Sequence, residues 1–120
     1  PLLGGGSMPI VGLGLTGRSS YLTSNQVFTF LMKGGRHIDG ALAYFNTAEM
    51  GEGVNRAVAC GIPRREIFVT SKVLPHRFHE IASEVDNILE TTELSYLDLL
   101  LLHFPTGATD YEEKEEGKTE

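Results

Sequence analysis

LSYLDLLLLHFP, residues 94–105, decides the fold. From Leu97 to Leu102 it is apolar apart from Asp98, and Pro105 closes it. A strand sends successive side chains to opposite faces, so a strand apolar at nearly every position needs cover on both. That is the pattern of a strand in a parallel sheet. The stretch is strand-sized and too short to cross a membrane.

Reading backwards from it, β-rich runs alternate with helical ones. Ile81, Val85, Ile88 and Leu89 mark a helix, and Ile67–Ser71 a strand. Gly61 and Pro63 stop a second helix, carried by Met50, Val54, Ala57 and Val58 and opened by the capping pair Asn46 and Glu49. Arg36–Ala41 reads as a strand. Gly34 and Gly35 end a first helix with Val27, Phe28 and Leu31 on one face, for which Thr23 and Gln26 form the expected capping box. Ile10–Leu15 reads as the opening strand, after a glycine-rich, hairpin-like lead-in from Pro1 to Pro9. Beyond Pro105 no further element is expected.

The order β, α, β, α, β, α, β signals a parallel sheet with helical crossovers. Crossovers of one hand put all three helices on one side if the sheet curls as a barrel does. The expectation is therefore α/β, about four strands and three helices of a (β/α)8 barrel, which normally takes roughly 250 residues. The alternative is a small doubly wound sheet, but nothing after the fourth strand would complete it.

The chain has 120 residues, enough for one domain. Its net charge of −6 argues against nucleic acid or an anionic membrane as partner. Asp110, Glu112, Glu113, Glu115, Glu116 and Glu120 crowd the end, so residues 106–120 are expected as an acidic loop or tail after a barrel portion at 1–105. Cys60 is the only cysteine, and its place at a helix end reads as structural. No signal-peptide pattern appears, so a cytoplasmic protein is the default. The start at Pro1 suggests a chain that is not a complete gene product.

Asp39, Lys72 and His103 stand at or just past the C-terminal ends of expected strands, and Tyr44 follows in the loop after the second. Ligands and catalytic groups gather at that end of a parallel α/β sheet. Singly, each has an ordinary reading: a buried ion pair, a structural histidine, a packed tyrosine. Four on one rim point to a site. A metal-dependent barrel hydrolase is the rival, with His37 and Asp39 as a strand-borne pair and His76 and His79 as further imidazoles. His76 and His79 flank an expected helix start at a spacing less diagnostic than recognised zinc motifs, so no metal is expected.

The segment GGRHIDGALAYFNTAEMG, residues 34–51, resembles the aldo-keto reductase signature around its catalytic Asp and Tyr. IFVTSKV (67–73) is similar to the stretch carrying the family's catalytic lysine, here Lys72. LSYLDLLLLHFP is similar to the one delivering its histidine, here His103, and MPIVGLGL (8–15) to its opening strand. The resemblance implies an NADPH-dependent (or NADH-dependent) reductase of small aldehydes or ketones. A tyrosine of pKa about 10 donates a proton reluctantly near neutrality. Lys72 beside Tyr44 would ease that donation, Asp39 would hold Lys72, and His103 would orient the carbonyl. Asp39, Gly14 and Leu15 would lie near the nicotinamide. Leu15 and Thr16 depart from the family's frequent threonine and aromatic. The family's anchor for the cofactor's phosphates sits in its last strands and loops, consistent with the general phosphate site of such barrels. A non-catalytic binding subunit of the same superfamily is the second expectation, and the open half-barrel face suggests self-association.

Overall fold

The computed structural model describes residues 2, 4–17, 19–41, 46–74 and 79–102. Among the described residues seven strands and α-helices alternate: β1 (Leu13–Gly14), α1 (Ser20–Met32), β2 (His37–Asp39), α2 (Thr47–Ala59), β3 (Phe68–Val73), α3 (Ile81–Thr92) and β4 (Leu99–Leu102). A 3-10 turn at Arg64–Glu66 leads into β3. All four strands are parallel and lie side by side in chain order. A doubly wound sheet reverses its order at a switch point; this sheet does not. With each strand beside its successor, crossovers of one hand form a single helical layer, in which α1 packs on α2 and α2 on α3. The fold is thus four strands and three helices of a (β/α)8 barrel.

Period-two alternation sorts the strand residues into two faces. Ile38, Val69, Ser71 and Val73 are buried. With Leu15, Val27, Leu31, Met50, Val54, Ala57 and Leu94, Ile38 and Val69 form the core between sheet and helices. The residues between them in sequence, His37, Asp39, Phe68, Thr70 and Lys72, share the other face, which lines the interior of a closed barrel. β4 is the less covered edge: Leu101 is 41% and Leu102 46% exposed.

Close packing explains two glycines that helix propensity disfavours by about 1 kcal/mol each. A Cβ on Gly51 would fall on the Thr92 backbone at the end of α3. One on Gly53 would meet the Val27 side chain at 2.6 Å and the Ser24 carbonyl at 2.8 Å. The α2 surface is hollowed so that α1 and α3 approach its backbone.

The structure corrects several boundaries. β1 pairs only over Leu13–Gly14, while Ile10 and Val11, expected in the strand, are exposed. The expected capping box at Thr23 and Gln26 does not form, because α1 begins a turn earlier, behind Ser19. Thr23 lies inside the helix, fully buried, and its hydroxyl donates to the Ser19 carbonyl at 2.8 Å. Asn46 does precede α2, but its side chain makes no capping bond. β3 runs two residues further than expected, so Lys72 is inside the strand. The lead-in turns back on itself through bonds from the Leu2 N–H to Gly6 and the Gly5 N–H to Leu2, without strand pairing. None of the helices among the described residues is long and apolar enough to cross a membrane.

Candidate active site

Asp39 is the last residue of β2 and pairs in register with Gly14 of β1 and Thr70 of β3. Lys72 lies two residues beyond Thr70, on the same face and nearer the C-terminal rim. Its four-carbon stem reaches back, and Nζ donates to Asp39 Oδ1 at 2.6 Å and to the Gly40 carbonyl at 3.2 Å. The Lys72 side chain is 13% exposed and that of Asp39 39%. A charge-assisted bond of this length, with a backbone acceptor beside it, fixes the ammonium in place. The result is a positive charge held on the inner face of the sheet at its C-terminal rim.

A second polar layer lies beneath. His37 Nε2 meets the Thr70 hydroxyl at 2.9 Å and Nδ1 meets the Pro9 carbonyl at 3.3 Å. The His37 ring stands edge-on to Phe68, with 5.1 Å between centroids. A carbonyl only accepts, so Nδ1 carries a hydrogen. Gly12 lets the lead-in pass this ring, since a Cβ there would come within 2.9 Å of Nδ1. His37 thus ties the lead-in to β3. The rival metal reading invoked it, and both its nitrogens are occupied by protein. His79 is an exposed side chain 3.7 Å from Glu80 Oε1, and His76 lies outside the described residues. Among the described residues no three His, Cys, Asp or Glu side chains converge to hold a metal.

Gly14 sits beside Asp39 with open space where a side chain would be. Leu15 differs. Its N–H donates to the Asp39 carbonyl at 3.1 Å, but its side chain is wholly buried in the helix-side core. Only its backbone is near the rim. Tyr44 and His103 lie outside the described residues, as does the expected tail at 106–120. The Gly40 N–H donates to the Thr70 carbonyl at 2.9 Å, Ala41 and Asn46 are buried, and Leu102 pairs with Val73.

The sequence profile of the Aldo/keto reductase family matches residues 6–115. The chain belongs to this family. It is 38% identical over 105 residues to an NAD(P)H-dependent D-xylose reductase I,II of Candida tropicalis, covering 84% of this chain and 32% of that protein. An NAD(P)H-dependent pentose reductase of Pyricularia oryzae is 42% identical over 104 residues, again 84% of this chain and 32% of its own length. A crystal structure of an aldo-keto reductase of Bombyx mori in complex with NADP superposes with a TM-score of 0.82 at 32% identity. It covers 88% of this chain and 38% of that one. This aldo-keto reductase chain therefore spans about a third of the length of the relatives it matches.

Residues that the sequence reading did not assign to this site lie beneath and beside it. Thr70 and His37 form the layer under the Asp39–Lys72 pair, and their shared face follows from period-two alternation. Asn46 was legible as a helix start but not as a tie to Leu15, because its partner is 31 residues away.

Proposed function

We propose that this chain carries the proton-transfer residues of an NAD(P)H-dependent reductase of small aldehydes or ketones. The observation that carries the proposal is the 2.6 Å pair of Lys72 and Asp39 on the inner face of the strand ends. Reduction places hydride on the carbonyl carbon and demands a proton at its oxygen. Tyr44, by resemblance, is the proton donor. Lys72 stabilises the phenolate left behind, so the donor acts nearer neutral pH than a free phenol does. Asp39 holds the Lys72 side chain in place through the 2.6 Å bond. His103 hydrogen-bonds the carbonyl oxygen and orients it.

NADPH or NADH, when bound, supplies the hydride. The residues present fit such a group. Gly14 leaves open space beside Asp39 at the rim, room for a flat ring near a carboxylate. Asp39, Gly14 and the Leu15 backbone would hold its nicotinamide end. The similarity to xylose and pentose reductases points to aldehydes of small sugars as first substrates.

The test is oxidation of NADPH, and separately NADH, by the purified chain with an aldehyde panel that includes aldoses, alongside Tyr44→Phe. Turnover lost in the variant supports the reading. Turnover that Tyr44→Phe retains would sink the donor assignment. A second reading, self-association through the open face, is favoured by the exposed Leu101 and Leu102 at one edge and Ile10 and Val11 at the other. A sedimentation profile of pure monomer at tens of micromolar removes it.

A further inference from the structure

We infer that Gly40 is a positioning residue for Lys72, and that the Met50 side chain packed against it is the reason no larger residue can stand there. Lys72 Nζ donates to Asp39 Oδ1 at 2.6 Å and to the Gly40 carbonyl at 3.2 Å. A lone carboxylate acceptor would let an ammonium on a flexible four-carbon stem swing about it. The carbonyl removes that freedom. It belongs to the main chain, so its place is set by how the backbone packs and not by a rotamer. The Gly40 N–H donates to the Thr70 carbonyl at 2.9 Å, which carries the pairing of β2 with β3 one residue past the end of β2.

Backbone conformation does not call for glycine at this position: the described glycines with positive φ are Gly5, Gly17, Gly34 and Gly61. Space does. Alternation along β2 turns position 40 to the helix side, opposite to Asp39. A Cβ there would come within 2.5 Å of Met50 Sδ and 3.4 Å of its Cε. Met50 has nowhere to step, because it is 1% exposed and packed in the core with Leu15, Ile38 and Val54. A close-packed interior passes such a push on to whatever can move. Here that is the strand end, and its displacement shifts the Gly40 carbonyl relative to Nζ. Met50 thus acts on the inner face from the helix side of the sheet, through the backbone of Gly40.

The experiment labels the lysines of the full chain with 13C at Cε and reads the two protons on that carbon. Their resonances separate only while the ammonium is held in one orientation. The chain has four lysines, and Lys72→Arg identifies the Lys72 pair. The expected result is a separated pair in the wild type that collapses in Gly40→Ala. Adding Met50→Val, which takes the sulfur and its methyl away from position 40, should restore the separation. Gly53→Ala is the control: its Cβ meets Val27 and Ser24, a collision in the same helix as Met50 that does not involve Gly40. An unsplit pair in the wild type, an unchanged separation in Gly40→Ala, an equal loss in Gly53→Ala, or a loss that Met50→Val does not repair overturns the inference. Should Gly40→Ala alone not fold, the double variant carries the test. A folded double variant with the wild-type separation is then the expected result, and a collapsed pair or an unfolded chain overturns it.

The kinetic arm rests on the reductase reading. Gly40→Ala should lower kcat roughly fivefold or more while NADPH affinity stays within about twofold, since a misplaced group slows the reaction without loosening the cofactor. Met50→Val should return the double variant to within about twofold of wild-type kcat, the rescue that two residues in contact permit. Gly53→Ala should leave kcat unchanged. Wild-type kcat in Gly40→Ala overturns the positioning role. A wild-type chain that fails to oxidise NADPH would sink the reductase reading alone, since the resonance comparison needs no turnover.

Discussion

Replacing Asp98 with alanine should unfasten the junction of β3 and β4 at the end of the sheet opposite the candidate site. Asp98 and Val69 clasp each other reciprocally: the Asp98 N–H donates to the Val69 carbonyl at 3.0 Å, and the Val69 N–H donates to Asp98 Oδ2 at 2.8 Å. The same carboxylate oxygen takes a 3.0 Å bond from Arg64, whose guanidinium also reaches the Ile67 and Tyr96 carbonyls and stacks 4.1 Å over the Tyr96 ring. Removing the carboxylate strands the Val69 N–H in a fully buried position. A hydrogen bond to a charged group is worth about 1.5–3 kcal/mol. The ion pair, with side chains 16% and 19% exposed, adds about 1 kcal/mol, the upper end for exposed pairs. The loss should be about 3 kcal/mol, a large share of the roughly 5–15 kcal/mol that stabilises a domain. At about 4 °C per kcal/mol for a chain of this size, Tm falls by roughly 12 °C. Urea unfolding followed by circular dichroism gives the number. Asp98→Asn keeps an oxygen for the Val69 N–H and should lose about half as much. An Asp98→Ala variant within about 0.5 kcal/mol of wild type would refute the reasoning, as would Asn and Ala variants that are equally destabilised.

Gly51→Ala should destabilise the chain by about 1–3 kcal/mol despite alanine's better helix propensity, because the new Cβ falls on the Thr92 backbone; an unchanged urea midpoint would contradict the close approach of α2 and α3. Glu93, at φ 55°, ends α3 in the left-handed region, so Glu93→Gly should gain about 0.5–1 kcal/mol in the same assay. Lys72→Met should lower kcat for aldehyde reduction roughly 100-fold or more, with stability within about 1 kcal/mol of wild type. Activity close to wild type in that variant would remove Lys72 from the proton-transfer machinery. Thr70→Val breaks the bond to His37 and leaves the Asp39–Lys72 pair intact, so its effect should appear in unfolding and not in kcat.

The alternation of elements and the placing of Asp39 and Lys72 near the strand ends were legible in the sequence, because both follow from local periodicity. Ile67–Ser71 found β3 but stopped short of Lys72, since a long polar side chain on an interior face reads as the end of a strand. The helix face of Val27 and Leu31 was right while the start of α1 was wrong. Thr23 had the chemistry of a cap, but Ser19 lay one turn upstream and the tertiary core claimed Thr23. Asp98 read as the one polar blemish in an apolar strand; it is the acceptor that joins two strands.

By itself the sequence determined the order of the elements, the single direction of the strands, the family resemblance, and the residue types offered at the strand ends. Each of these is carried by neighbours within a few turns, where hydrophobic period, turn chemistry and motif spacing act. The tertiary structure alone decided that Lys72 meets Asp39 at 2.6 Å, that Asn46 reaches Leu15 rather than its own helix, and that Gly51 and Gly53 are contact points between helices. Those contacts join residues some 25 to 40 positions apart. Nothing in the local pattern specifies them, because they exist only once the helices have closed on one face of the sheet and set the distances.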